Sequence, residues 1–158
     1  MKINVVTAIG KAKTKLGAFD SALIGAGIAN TNIICLSSVI PPHAEIVFDK
    51  PEIDPADFGK RLYVVMARRD TDKIGKIAAG VGWVMEKNGR FGLFVEHDST
   101  SKARVKKLIT KTLTGMIASR SDYEFTDIQY AITETTNKAK QASCALAVAV
   151  YETEDWRN

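Results

Sequence analysis

Residues that staple small proteins or hold metal ions are scarce in this chain. Its 158 residues include only two cysteines, Cys35 and Cys144, and two histidines, His43 and His97. The cysteines stand far apart in apolar surroundings, without the close pairs of a zinc site or the density of a disulfide framework. Both are expected to be reduced and buried. Two histidines are too few for a multi-histidine metal centre and are read as exposed or structural groups. No apolar run approaches the roughly 20 residues that span a bilayer, and the N-terminal segment is too short in apolar residues for a signal peptide. A cytoplasmic protein with no membrane partner is therefore expected.

Several motifs are absent as well. The sequence has no Walker phosphate loop, no dinucleotide-type GxGxxG, no HExxH and no GxSxG. Gly25-Ala26-Gly27 does not open a helix after a strand, so it is no phosphate cradle. The net charge of +4 and pI near 9.1 leave only a small basic excess. Its densest part, residues 102–111, has no interleaved aromatics and reads as a solvated helix face, so no nucleic-acid partner is expected.

What is present is an ordinary globular composition, 46% hydrophobic and 25% charged. At this length a chain buries about 70% of its extended surface and folds without staples. One domain covering residues 1–158 is expected, with no repeat or linker. Residues 2–7 read as a β-branched first strand, followed by a basic, solvated loop from Gly10 to Lys15. Phe19, Ala22, Leu23 and Ala26 recur at helical spacing, which predicts a small-residue helix over 18–28 with Asp20 in or beside its first turn. Its glycines, Gly25 and Gly27, imply a closely packed neighbour. Residues 32–36 read as a buried strand that stops before Pro41-Pro42, since two prolines remove two backbone donors. Residues 49–59, with two more prolines, form a surface loop.

Further strands are predicted over 61–68, 74–85 and 91–96, with a hairpin turn at Asn88-Gly89, although 74–82 could also be helical. The strongest helix covers 101–119, burying Val105, Leu108, Ile109, Thr112, Met116 and Ile117. Two long strands, 125–135 and 143–151, close the chain, the second alternating small and large apolar residues. Two helices and six or seven strands joined by short connections predict an α+β fold. The expected form is a layered sandwich of mainly antiparallel sheet in an αββα-like arrangement, not a doubly wound parallel sheet.

The unusual element is the serine pair Ser37-Ser38, wedged between an apolar strand and a Pro-Pro stop. A peptide bond held at such a corner can be strained, and strain opens a carbonyl to the neighbouring hydroxyl. A serine pair before a turn also serves simply to form the turn. The wider pattern is more specific. Ala18-Phe19-Asp20-Ser21-Ala22-Leu23, then Gly27-Ile28-Ala29-Asn30-Thr31-Asn32, then Leu36-Ser37-Ser38-Val39-Ile40-Pro41-Pro42 closely resembles the pyruvoyl-dependent arginine decarboxylases. A second patch, Gly92-Leu93-Phe94-Val95-Glu96, resembles them too, and a looser likeness covers most of the chain.

The resemblance implies a self-processing enzyme. In such families the hydroxyl at the Ser38 position attacks the Ser37 carbonyl, and elimination splits the chain into a β fragment, 1–37, and an α fragment, 38–158. The new terminus carries a covalent pyruvoyl group made from Ser38, which forms a Schiff base with the substrate amine. No pyridoxal phosphate and no metal is then required. The implied reaction converts L-arginine to agmatine and carbon dioxide. By the same resemblance Asn32 serves cleavage and substrate binding, Glu96 protonates the carbon left after decarboxylation, and Asp20 meets the guanidinium. Each residue also has an ordinary reading: Asn32 as a turn amide, Glu96 as a solvated strand-end carboxylate, and Asp20 as a helix cap or first-turn dipole partner. The family pattern further implies a homo-oligomer, a trimer of αβ units or a hexamer, with sites at the subunit boundary. Ala29, where related sequences can carry glycine, and Lys15-Leu16-Gly17 depart from that pattern and bear on the substrate pocket. The alternative is an unprocessed, non-catalytic relative that binds a small cationic ligand or acts as an assembly partner.

Overall fold

The computed structural model describes residues 1–37 and 39–156. Among them are nine strands, two α-helices and one short 3-10 turn. In chain order these are β1 (Lys2–Ala12), α1 (Lys15–Ala26), β2 (Asn32–Cys35), β3 (Val39–Ile40), β4 (Glu45–Val47), the 3-10 turn (Pro55–Asp57), β5 (Arg61–Thr71), β6 (Gly75–Met85), β7 (Gly92–Ser99), α2 (Lys102–Ala118), β8 (Gln129–Asn137) and β9 (Ala142–Glu154). One sheet has the order β2-β5-β9-β1-β4 and the other β3-β7-β6-β8. Pairing is antiparallel except at the two edges of the first sheet, where β2 runs parallel to β5 and β4 parallel to β1. The layers are helix, sheet, sheet, helix, as expected for the αββα-like sandwich.

Alternation along β9 explains the layering. Ala145, Ala147 and Ala149 point into the core between the sheets, while Cys144, Leu146, Val148 and Val150 point to the side covered by α1. Small residues on the inner face leave room for Trp83 and Phe94 of the second sheet, whose rings meet with centroids 5.9 Å apart. Large residues on the outer face meet a helix that buries only alanines, Ala18, Ala22 and Ala26. Volume is exchanged between layers so that each interface stays close-packed. On the far side Val105, Ile109 and Leu113 of α2 cover the second sheet.

Several boundaries differ from expectation. The basic segment read as a solvated loop continues β1 to Ala12, because β9 supplies paired backbone as far as Ala142. Gly10 is buried there: a β-carbon on it would lie 1.9 Å from the Ala18 carbonyl oxygen, so α1 crosses β1 at this glycine. The helix starts at Lys15, with the Thr14 hydroxyl accepting from Gly17 N–H (3.1 Å) as its cap, and ends where Gly27 turns left-handed. Asp20 therefore lies beyond the first turn and caps nothing. The strand expected to be buried, β2, is an edge strand with exposed and half-buried positions, and Cys35 is exposed, while Cys144 is buried as expected. The alternation-poor segment 45–47 was not anticipated as a strand; it adds as a short parallel edge to β1. Residues 75–85 are strand as expected, and the helical alternative for 74–82 falls. The last strands begin at Gln129 and Ala142, with Phe125 contributing only an isolated bridge to Glu86. The buried face of α2 includes Leu113, while Leu108 is 38% exposed.

The closest packing of α2 on its sheet is at Gly82, where an added β-carbon would lie 2.2 Å from Ile109 Cγ2. Gly82→Ala is expected to cost about 1–3 kcal/mol in urea unfolding, as overpacking does. Adding Ile109→Ala should cost less than the sum of the two single changes. Unchanged stability of Gly82→Ala would contradict this packing.

Candidate active site

The chain passes from one sheet to the other between Cys35 and Val39. On the first side Leu36 N–H donates to the Val64 carbonyl (2.8 Å), extending the pairing of β2 with β5. On the second side Val39 and Ile40 pair with Leu93 and Gly92 of β7. Ser37 lies in this crossing and is exposed. Ser38, the predicted nucleophile, lies outside the described residues. The Val39 N–H donates to the Ser37 carbonyl oxygen at 2.8 Å. This is the carbonyl that the Ser38 hydroxyl would attack. A donor at this distance polarises it and would stabilise an oxyanion formed there. Left-handed backbone among the described non-glycine residues is confined to Asn30, His43 and Lys140, so the expected strain is not found at Ser37 in that form. The carbonyl is addressed by a hydrogen bond instead.

Alternation along β7 sets the position of Glu96. Phe94 belongs to the core between the sheets, and Asp98 bonds Arg69 of β5 across the same face (2.5 Å). Glu96 lies between them on that face and is exposed. Val39 pairs with Leu93, three positions before Glu96, a separation of about 10 Å along the strand. The structure thus brings Glu96 and the sheet crossing to one side of one sheet. The neighbouring His97 turns the other way, and its Nε2 lies 2.8 Å from Thr112 Oγ1 of α2, a structural role.

Asn32 and Asp20 are placed elsewhere in the single chain. Asn32 opens β2, five residues before Ser37, or about 16 Å of extended backbone. Its side-chain amide donates to the Gly59 carbonyl (2.6 Å), which also accepts from Trp156 Nε1 (2.8 Å). The Arg61 guanidinium stacks over Trp156, 5.4 Å from the ring centroid, so the C-terminal segment closes over the Asn32 turn. Asp20 is exposed on α1, which covers the face of the first sheet opposite the second sheet. Beside it, the Arg68 guanidinium lies over the Phe19 ring at 3.7 Å. Glu96 and Asp20 of one chain are therefore separated by a sheet.

Among the described residues no cluster of His, Cys, Asp and Glu has the makings of a metal site, and no helix is long and apolar enough to cross a membrane. A family model described as pyruvoyl-dependent arginine decarboxylase matches residues 2–155. The chain belongs to this family. Its similarity to individual pyruvoyl-dependent arginine decarboxylases runs nearly end to end. One from Halobacterium salinarum is 34% identical over 159 residues, covering 98% of this chain and 96% of the relative. One from Pyrococcus abyssi is 32% identical, covering 95% and 94%. One from Thermococcus kodakarensis is 34% identical, covering 87% of each.

Two features of this decarboxylase-family chain escaped sequence reasoning. Tyr151 ends the inward alanine series of β9, and its hydroxyl donates to the Val39 carbonyl (3.2 Å). The period-two spacing 145, 147, 149, 151 carried that signal. Glu86 is a fully buried carboxylate that accepts from Asn88 N–H (2.9 Å), Asn88 Nδ2 (3.0 Å), Arg90 N–H (3.1 Å) and Arg90 Nη2 (2.9 Å). It fixes the β6–β7 hairpin, whose Gly89 carbonyl accepts from His43 N–H (3.0 Å) and so supports the turn that follows β3.

The Arg90 guanidinium, helped by the Arg90 N–H and the Asn88 amide, holds the Glu86 carboxyl down to about 2, from an ordinary 4.5. The unfolded chain takes up this proton near pH 4.5 and the folded one only near 2. The contribution to stability is therefore complete above 4.5 and lost as pH falls toward 2. Acid unfolding should show Glu86→Gln less stable at neutral pH, with a flatter stability curve than the unmutated chain in that window. Parallel curves would contradict the assignment.

Proposed function

We propose that this chain is a self-processing, pyruvoyl-dependent decarboxylase converting L-arginine to agmatine and carbon dioxide. The observation that carries the reading is the Ser37 carbonyl, held in the sheet crossing with the Val39 N–H on its oxygen and a serine next in sequence. The residues present suit a pyruvoyl group: a backbone donor stands at the carbonyl to be attacked, and Ser37, which carries that carbonyl, is exposed.

The processing step balances as follows. The Ser38 hydroxyl adds to the Ser37 carbonyl carbon, the C–N bond breaks, and nitrogen takes the proton, so an ester replaces the amide. Loss of the residue 38 α-proton then breaks its Cβ–O bond, and Ser37 leaves as the carboxylate ending the 1–37 fragment. The remaining dehydroalanine tautomerises, adds one water and loses ammonia to give the terminus of the 38–158 fragment. Once formed, the pyruvoyl group supplies an electrophilic carbonyl that condenses with the substrate amine and takes up the electrons released with carbon dioxide.

The chain's own residues do the rest. Glu96, on the face shared with the crossing, delivers a proton to the carbon that loses carbon dioxide. Asn32 donates from its amide, which has two N–H groups and uses one on Gly59. Asp20 accepts the guanidinium in a bidentate pair. Because Asp20 and Glu96 of one chain lie on opposite sides of a sheet, a pocket using both is completed between chains, which favours the trimer of αβ units or its hexamer. Neither metal nor pyridoxal phosphate has a role in this scheme.

Intact-mass analysis of protein made in cells should show fragments 1–37 and 38–158 instead of one 17.2 kDa species. Ser38→Ala should remain whole. Glu96→Gln should cleave but release carbon dioxide from arginine about 10²–10⁴-fold more slowly. An unmutated chain that stays whole and releases none would favour the non-catalytic alternative.

A further inference from the structure

We infer that Tyr151 is a positioning residue for self-cleavage, its hydroxyl holding the Val39 carbonyl so that the Val39 N–H stays on the Ser37 carbonyl. This rests on the self-processing reading above and adds to it a residue acting from the opposite sheet. Tyr151 lies on β9 of the first sheet and Val39 on β3 of the second, 112 positions apart in sequence. The side chain crosses the space between the sheets because the inward positions before it are alanines. Its ring is oriented by an edge contact with Phe94, centroids 6.3 Å apart, next to the Leu93 that pairs with Val39.

The anchor matters because, although Ile40 is buried in the core between the sheets, β3 has few hydrogen bonds to hold its backbone. Its ladder consists of two residue pairs, and the following Pro41 and Pro42 offer no backbone N–H. After cleavage this two-residue edge strand is the start of a chain, where fraying concentrates. The Tyr151 bond then keeps the newly made terminus against β7, on the strand that carries Glu96. A phenol suits the task. It donates without bringing charge, and burial pushes its pKa up to about 12, so it keeps its proton throughout the working range. The ring alone could be a packing element, and the test separates the two roles.

Precursors of the unmutated chain, Tyr151→Phe and Tyr151→Leu are made in a cell-free system and cleavage is timed by intact mass. Hydrogen exchange is read over residues 39–47, and melting temperatures are compared. Removing the hydroxyl alone, in Tyr151→Phe, should slow cleavage about three- to tenfold, the worth of one hydrogen bond, while lowering the melting temperature by no more than about 4 °C. It should also quicken exchange at residues 39 and 40 and, in the processed enzyme, lower kcat while leaving KM for arginine within about twofold. Tyr151→Leu should be slower still and melt lower. Cleavage and exchange in Tyr151→Phe equal to the unmutated chain would overturn the inference and leave ring packing only. Should neither variant fold, immediate exchange at residues 39 and 40 of the unmutated protein would overturn it, and protection would uphold it. Failure of the unmutated chain to cleave is a separate result and overturns the decarboxylase reading itself, taking this inference with it.

Discussion

The chain leaves one sheet and enters the other between Cys35 and Val39, and the rest of the site depends on that passage being tied at both ends. The Leu36 amide is held by Val64 on one side, and Val39 is held by Leu93 and Tyr151 on the other. A serine pair in an ordinary turn would sample many geometries. Here ladders stand on both sides, and the Ser37 carbonyl and the Val39 N–H meet before any reaction occurs. Preorganisation of this kind removes the entropic cost of bringing donor and acceptor together.

The sandwich supplies the tie by distributing volume among its layers. Alanines on the inner face of β9 admit Trp83 and Phe94, and the same face, two positions on, lets Tyr151 reach the opposite sheet. The outer face carries leucine and valine, matched by a helix reduced to alanine where it touches the sheet and by Gly10 where it crosses β1. One alternation in sequence thus specifies two interfaces and the reach of the Tyr151 side chain. The buried Glu86 cluster performs a local version of this task, fixing the hairpin against which the turn after β3 rests.

Much of this was legible before the structure. Periodicity located α2, and the alternation of 143–151 marked a strand with two differently packed faces. The prolines at 41 and 42 marked the end of β3. What failed did so for physical reasons. Charged residues near Lys11 concealed a strand whose pairing came from β9, more than 130 positions away. Asp20 resembled a helix-start residue, but Thr14 had already capped the helix. Ile33 and Ile34 read as core, yet edge position, which no local pattern encodes, leaves β2 half-covered. Tyr151 remained hidden because its partner is set by a sheet-to-sheet contact, and Glu86 because only the hairpin turns its near neighbours Asn88 and Arg90 back onto its carboxylate. Ser37 stood out by its place before Pro41-Pro42 and Glu96 by resemblance, and the structure adds the shared face and crossing that relate them. The separation of Asp20 from Glu96 could be read only once the layers were known.

The central claim is that residue 38 becomes the electrophile on which the substrate amine is captured. The most direct measurement is to incubate purified enzyme with uniformly carbon-14-labelled arginine, reduce it with borohydride, digest it and locate the label by mass spectrometry. The account predicts stable label on the first residue of the 38–158 fragment and none in Ser38→Ala protein. Label on a lysine, or an unlabelled fragment in protein that releases carbon dioxide, would contradict it.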